Sequence, residues 1–454
     1  MLFGGLLLAG CASSVLESSD EPTSVSVSAY ASTERIEAPR SLTGWWRTFH
    51  DPVLDHLVER VAAENLTLAQ ARARLVAGRA QASAAHSLFL PTLGAGGTAI
   101  GATSKVENTD PLRRPLMAGF DMSWDVGLFG LSENTARSAD AGEAILAADV
   151  EAIRVAMTAE VASAYISLRA VQQQQVLTAA LVSALRRRMQ GGAALVRSGL
   201  TTAAAEVDVS AAVAEAEVEQ AHLEARANAL RHQIATLLGT STPDAALLRT
   251  GDQPQSTQAP NESRSNDLLR ARPDVRAAEQ KVLQAAAEIG IAQAGLYPRL
   301  RLMGTIGVGA PFTNSAFGVA GGPVLEIPLL DYGRRQAAVK ARQALYDEAV
   351  AAYRQSVLVA YQEAATAQDQ WRASRAATLQ QRSALEAAER KAREVRVLNG
   401  EGLADRSRLA EADVSVLDRR RRLVLARESE ALSLAAFYKA IGGASPSVTG
   451  AGQR

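Results

Sequence analysis

The sequence predicts a mostly α-helical chain that also carries transmembrane β-strands, built as an internal twofold repeat. Three observations predict this. First, residues 131–190 and 333–398 each read as nearly unbroken helix, far longer than an ordinary globular helix. At 1.5 Å per residue, ~60 residues make a rod of roughly 90 Å. Second, several runs alternate apolar with small or polar residues over the ~9–11 positions that a tilted strand needs to cross a bilayer. Third, the features recur in order. "LFLPTL" matches "GLYPRL", "SWDVGLFG" resembles "VLEIPLLDYG" with Asp125 opposite Glu326, and "LVRSGL" resembles "LNGEGL", all at offsets of about 200 residues.

Composition fits close helix packing. Aromatics are only 4% of a chain that is 47% hydrophobic, so small residues, above all Ala, fill the apolar positions and let helix axes approach. Lys+Arg and Asp+Glu are both 48, so no basic excess argues for nucleic acid. The single cysteine, Cys11, excludes an intrachain disulfide. It follows residues 1–10, "MLFGGLLLAG", an apolar run too short to span a bilayer and read here as a lipoprotein signal peptide. "LAGC" at 8–11 resembles a bacterial lipobox, in which Cys11 becomes the lipidated first residue. No Lys or Arg precedes the run, which predicts a start codon upstream of Met1. Ala12 follows the cysteine, with no Asp there to retain the product at the inner membrane, which fits outer-membrane sorting. No other stretch reaches the ~18 consecutive apolar residues of a membrane helix, so a crossing must use strands.

The elements follow in order. Residues 11–43 are rich in Ser, Thr, Glu and Pro and read as a lipidated extended tether. The first repeat is expected over 44–250. Trp45, Trp46 and Phe49 form a packing cluster at its start. Helical periodicity then runs to Leu90, broken at "ENLT" and stopped by Pro91. Strands are expected within about 92–126, where Phe120, Met122 and Trp124 alternate with Gly119, Asp121 and Ser123; the first of them, at 92–103, is Gly-rich and weak. Long helices at about 131–190 and 202–238 flank "QGGAALVRSGLTT", which predicts an antiparallel hairpin.

The second repeat is expected over 251–443, with strands within about 299–327 and long helices at about 333–398 and 403–441 around "NGEGLAD". Val275, Ala278, Val282, Ala285, Ile289, Ala292 and Leu296 lie three and four apart, an interlocking seam ending at Pro298. Residues 444–454 read as a flexible tail. Two strand pairs do not close a barrel, so self-association is needed to remove the exposed edges.

The stretch "LLRARPDVRAAEQKVLQAAAEIGIAQAGLYPRL", residues 268–300, resembles a signature of the TolC-like outer-membrane efflux proteins, more closely the NodT-type lipoproteins that serve RND pumps. "GWWRTFHDPVLDHLVERVAAEN" resembles the opening of the same family, and the likeness covers nearly the whole chain after Cys11. The resemblance implies a homotrimer. Four strands per chain would build a twelve-stranded outer-membrane β-barrel continuous with a long periplasmic α-helical barrel. It also implies a periplasmic membrane-fusion adaptor, an inner-membrane RND pump and outer-membrane lipid as partners. Locally the signature has structural roles: Pro273 suits a first helical turn, Asp274 its positive end, and Arg272 and Arg276 pair with neighbours.

No catalytic constellation competes. His50, His56, His86, His222 and His232 show no metal-binding spacing, and neither a phosphate loop nor a nucleophile elbow occurs, so no cofactor, metal or enzymatic activity is expected. The resemblance places adaptor contacts at the hairpin tips: Ser198, Gly199, Leu200 and Thr201 in the first repeat, and Gly402, Leu403 and Ala404 in the second. It also implies a periplasmic gate, with carboxylate rings from Asp208 and Glu411. Ser407 stands where relatives often carry a Leu, and Arg406 and Arg408 add positive charge beside Glu411, so the gate is expected to include Arg–Glu pairing. Pro91 and Pro298 are expected to mark the junction of helical and stranded barrels. The same conduit serving metal efflux or type I protein secretion is the alternative reading, and a periplasmic coiled-coil scaffold a remote one.

Overall fold

A computed structural model of the chain describes residues 44–99, 116–197, 203–256, 272–308 and 318–443, all within one compact unit. The leader, the tether with Cys11, the tail 444–454 and the start of the family signature lie outside the described residues.

A 3-10 turn at Trp45–Phe49 leads into α1 (Pro52–Glu64), whose first amides are capped by Asp51 at 2.9 and 3.2 Å. Helical structure breaks at Asn65 alone, inside "ENLT", and resumes as α2 (Leu66–Ser87). A short turn and Pro91 separate α2 from β1 (Thr92–Ala99), and β2 (Leu116–Asp125) returns to α3 (Leu131–Arg197) and α4 (Ala203–Leu237). After a linker the series repeats: α5 (Pro273–Ala294), β3 (Arg299–Val308), β4 (Gly318–Glu326), α6 (Arg334–Gly400) and α7 (Arg406–Ala440). The lengths recur too. α2 and α5 have 22 residues each, α3 and α6 have 67, and α4 and α7 have 35. A helix of 67 residues is about 100 Å long.

Two expected features shift. The break foreseen at 190–202 starts later, because Gly191 and Gly192 lie inside α3 and the helix reaches Arg197. Glycine costs a helix only about 1 kcal/mol against Ala, which continued hairpin structure offsets. Of the first strand, expected over 92–103, Thr92–Ala99 is strand and 100–103 lie outside the described residues. The seam on α5 is only partly right. Val275 and Val282 are buried, but so are Ala277, Ala287 and Ala294 outside it, while Leu296 is exposed. The reason is that α5 packs between α3 and α6 and so buries two faces. At Gly290 the helices come so close that any Cβ would collide with the Asn134 side chain of α3.

The main core lies where α1, the middle of α3 and the ends of α4 and α7 meet. Leu54, Val161, Tyr165, Leu168, Ile234 and Ala435 are fully buried there, and each large apolar side chain contributes roughly 1.5–3 kcal/mol. Trp45 stacks on Tyr438 at 5.2 Å, which fastens the start of the described chain to the end of α7.

The two repeats close on themselves by one device with different side chains. Asn65 accepts from the Leu68 amide and donates Nδ2 to the Leu237 carbonyl at 2.8 Å, so it caps the start of α2 and the end of α4 together. In the second repeat Arg272 precedes α5 and donates to the Ala440 carbonyl at the end of α7. It also pairs with Asp274 and Glu363, each at 2.7 Å.

The four strands form one antiparallel sheet in the order β1-β2-β3-β4. Its register aligns the apolar positions. Ala95, Phe120, Ile306 and Val319 lie side by side, as do Leu302 with Pro323 and Leu300 with Leu325. The other face aligns Gly94, Asp121, Thr305 and Ala320. Among the described residues, the outer edges of β1 and β4 have no strand partner.

Two outcomes follow. Asn65→Ala removes a helix cap and leaves a buried carbonyl unpaired, so stability falls by roughly 1–3 kcal/mol; thermal loss of helical circular dichroism in detergent checks it, and an unchanged midpoint refutes the double-cap reading. Glu428, buried in α7, is pushed above its ordinary value of 4.5 by burial, which outweighs Ser167 and Arg226, the latter at 3.2 Å. The folded chain therefore holds this proton more tightly than the unfolded chain, and stability is lost as pH rises from 4.5 through the raised value. Glu428→Gln is expected to flatten that part of the pH–stability curve; a curve identical to that of the native chain refutes it.

Candidate functional site

The turn between α6 and α7 is built to end one long helix and start another within five residues. Gly402 takes a left-handed conformation, φ 73°, and donates to the Asn399 carbonyl at 3.1 Å. The amides of Leu403 and Ala404 both reach the Leu398 carbonyl, at 2.8 and 3.2 Å, while Asn399 Nδ2 donates to the Ala404 carbonyl at 2.7 Å. Asp405 then caps α7 by accepting from the Arg408 amide at 2.7 Å. Every polar group of the turn that is needed to hold it is thus supplied locally. The Leu403 side chain is left free and exposed at the tip. Of the expected tip residues, Gly402, Leu403 and Ala404 share this turn; Ser198, Gly199, Leu200 and Thr201 lie outside the described residues.

Asp208 of α4 and Glu411 of α7 occupy equivalent places, each the sixth residue of its helix. Both are exposed, as are Arg406 and Arg408, and Ser407 is half-buried. Among the described residues of this chain, no ion pair joins Arg406 or Arg408 to Glu411, and none joins Asp208 to Glu411. The pair that does lock the hairpin here is Arg396 with Asp413, at 3.0 Å from α6 to α7. Behind it Ala392, Val395 and Ala412 form a small buried cluster, flanked by Leu409 and Val416. The sequence carried a signal for the Arg396–Asp413 pair only in the opposite charges on either side of the turn.

Farther from the tips the two hairpins use one bridge with reversed charge. Arg186 of α3 meets Glu217 of α4 at 2.6 Å; in the second repeat Glu389 of α6 meets Arg420 of α7 at 2.8 Å. Such exposed pairs are worth only ~0.2–1 kcal/mol each, so they serve alignment more than stability.

A buried polar network went unforeseen. Tyr165 donates to Asp51 at 2.7 Å, Arg169 donates to Tyr165 and Gln172, each at 2.9 Å, and Arg169 also holds the Arg249 carbonyl at 2.6 Å. Burial, helped by the Asp51 hydrogen bond, pushes the Tyr165 phenol well above its ordinary value and keeps it a donor. Gln173 and Gln253 add bonds to the carbonyls of Gly251 and Val424. The network pins the linker between the repeats. Its only trace in the sequence was a polar run, "RAVQQQQ", inside a long helix.

Pro91 and Pro298 each stand immediately before a strand, β1 and β3. Beside them the strand-to-helix elbows also match. Phe129 and Tyr332 both take positive φ, 56° and 53°, each followed by a left-handed glycine that opens α3 or α6. Tyr297, next to Pro298, stacks on Phe129 at 4.8 Å, which makes it a packing residue of the junction. Asp125 of β2 faces Arg301 of β3 at 3.6 Å.

Known proteins share this arrangement. The model of the family "Outer membrane efflux protein" matches residues 57–240 and again 265–443, once in each repeat. Nodulation protein T of Rhizobium leguminosarum bv. trifolii is 28% identical over 352 residues, covering 74% of either chain. Outer membrane protein OprJ of Pseudomonas aeruginosa is 27% identical over 341 residues, 71% of this chain and 70% of that one. The solved outer-membrane channel OprN superposes with a TM-score of 0.78 at 28% identity, over 88% of this chain and 92% of its own. VceC of Vibrio cholerae, at 24% identity and a TM-score of 0.74, shares the fold. With matched sequence in both repeats and matched architecture over 88% of its length, this chain belongs to the outer membrane efflux protein family.

Proposed function

We propose that the chain is the exit duct of a tripartite RND-type efflux pump and works as a homotrimer. One observation carries the reading: a four-stranded sheet with one apolar and one small or polar face ends in two edges that have no strand partner among the described residues. In lipid those edges need strand partners, and further copies supply them. Three copies give twelve strands, with lipid on the apolar face and water on the other. The long hairpins continue the duct into the periplasm, and the lipid on Cys11 anchors each copy to the outer membrane. Transport is passive, without catalysis; a periplasmic adaptor seats on the tips around Gly402 and Leu403, and an inner-membrane RND pump supplies the energy. The cargo is drugs or other small toxic molecules. Support comes from relatives such as the toluene efflux pump outer membrane protein TtgF and the pyoverdine export outer membrane protein OpmQ of Pseudomonas putida, each 27–28% identical.

The gate belongs to the same reading. Because Glu411 finds neither Arg406 nor Arg408 within its own chain, the pairing that holds the closed entrance is one between copies, with rings from Asp208 and Glu411 narrowing it.

Deleting the gene is expected to raise cellular sensitivity to small apolar toxicants several-fold, with recovery on re-expression; unchanged sensitivity to every toxicant that the partner pump exports overturns the efflux reading. In planar bilayers, Glu411→Ala and Arg408→Ala are each expected to raise closed-state conductance several-fold, since three exposed pairs contribute up to ~3 kcal/mol. If both leave it unchanged, the gate is held by other residues.

A further inference from the structure

The second hairpin carries a ladder of charged pairs. Arg396 of α6 meets Asp413 of α7 at 3.0 Å, and one heptad farther from the tip Glu389 meets Arg420 at 2.8 Å. Where two antiparallel helices interlock, a contact recurs every heptad, back along one helix and forward along the other. The next rung therefore joins Arg382 to Arg427, two cations in place of a cation and a carboxylate.

The surroundings of Arg427 agree with that placement. Burial, and then the charge of Arg382, push its guanidinium below the ordinary value, with Glu430 opposing. Arg427 is half-buried and Arg382 exposed. The Arg427 Nε is shielded from solvent and has no hydrogen-bond partner among the described residues. Among those residues neither of the two side chains makes an ion pair. Like charges that face each other repel, and a buried cationic donor without a partner costs free energy. One heptad farther still, Arg375 and Leu434 leave nothing unmatched. Arg375 lies over the Trp371 ring at 5.3 Å, and Leu434 belongs to the main core. The Arg pair thus stands between a packed core and two completed bridges, as the unmatched step of the ladder.

The chemistry of that step selects an anion. Two guanidinium groups present planar forks of donors that match the oxygens of a tetrahedral oxyanion, and neither loses its charge at any ordinary pH. A dianion between them does what a carboxylate does in the other two rungs. The first repeat has no counterpart: its bridge is Arg186–Glu217, and one heptad on from it stand Ala179 and Glu224. Arg382 lies 48 residues beyond Arg334, the first residue of α6, which is roughly 70 Å along the rod. With the sheet in the membrane, as proposed above, that is beyond the reach of a lipid headgroup, so the ligand comes from solution.

We infer that Arg382 and Arg427 form a site for a soluble phosphate- or sulfate-type oxyanion, one per chain, which bridges the two guanidinium groups and tightens α6 against α7 between the core and the tip. The test follows thermal unfolding of the full-length protein in detergent by helical circular dichroism, in sulfate and in chloride of equal ionic strength. Sulfate also stabilises proteins by exclusion from their surfaces, so the readout is the sulfate-minus-chloride difference in midpoint, compared between variants. The native chain is expected to show a difference several degrees larger than Arg427→Gln. Arg382→Glu turns the like pair into an opposite one; it is expected to melt above the native chain in chloride and to lose the sulfate-specific gain. Arg396→Gln breaks an existing bridge and is expected to melt lower yet keep the gain. In equilibrium dialysis, radiolabelled sulfate is expected to saturate at one ion per chain in the native protein and in Arg396→Gln, and to bind about tenfold more weakly to the other two. Equal gains in all four proteins, or uptake that does not saturate, overturn the site. A gain lost equally in Arg396→Gln overturns its assignment to the Arg382–Arg427 rung.

Discussion

Backbone amides and carbonyls carry the main constraint on this molecule. In water an unpaired strand edge is a liability, and in hydrocarbon each unpaired group costs several kcal/mol. Among the described residues there are four strands and two open edges, so the sheet is not a finished object, and the proposed ring is the simplest way to finish it. Helices satisfy their own backbone, which is why the rest of the chain can be rods that face water. The change from one solution to the other falls where proline removes a donor, at Pro91 and Pro298, immediately before β1 and β3. The elbows after β2 and β4 make the return through a positive-φ residue and a left-handed glycine, Phe129–Gly130 and Tyr332–Gly333.

The repeats keep geometry and exchange chemistry. A neutral amide, Asn65, does in the first repeat what a charged guanidinium, Arg272, does in the second. The hairpin bridge survives with its charges reversed, Arg186–Glu217 against Glu389–Arg420. In both cases the physical demand is met by more than one side chain: a donor for an orphan carbonyl, or opposite charges across two helices. Where the demand is steric, substitution is less free. The Arg169 network holds the linker that joins the repeats.

Much of this was legible in the sequence because the signals were local and long. Apolar alternation, a proline at the end of a helix and glycine at a hairpin turn each act within a few residues, and the duplication made each visible twice. What was not legible depended on geometry across elements. The end of α3 passed through Gly191 and Gly192 because a glycine pair weakens a helix without stopping it. The face of α5 was misjudged because its second neighbour, α6, lies far away in sequence. At the tip, opposite charges three residues apart suggested Arg408 with Glu411, whereas the bridge within the chain is Arg396–Asp413 across the turn. Charge type is readable from sequence; the choice of partner is set by helix phase and by what stands alongside.

The matched lengths of 67 and 35 residues also limit how such a chain can change. Among the described elements the repeats differ in spacing between the strands: Thr92 and Ser123 are 31 positions apart, while their counterparts Arg299 and Glu326 are 27 apart, so Glu326 answers to Ser123 and not to Asp125, as the sequence match had implied. A loop joining two strands can gain or lose residues without disturbing what lies on either side. A rod cannot. Each residue advances a helix by about 100°, so removing one turns everything beyond it out of phase with its neighbours. Insertions and deletions are therefore absorbed between the strands, while the rods keep their length and change only by substitution.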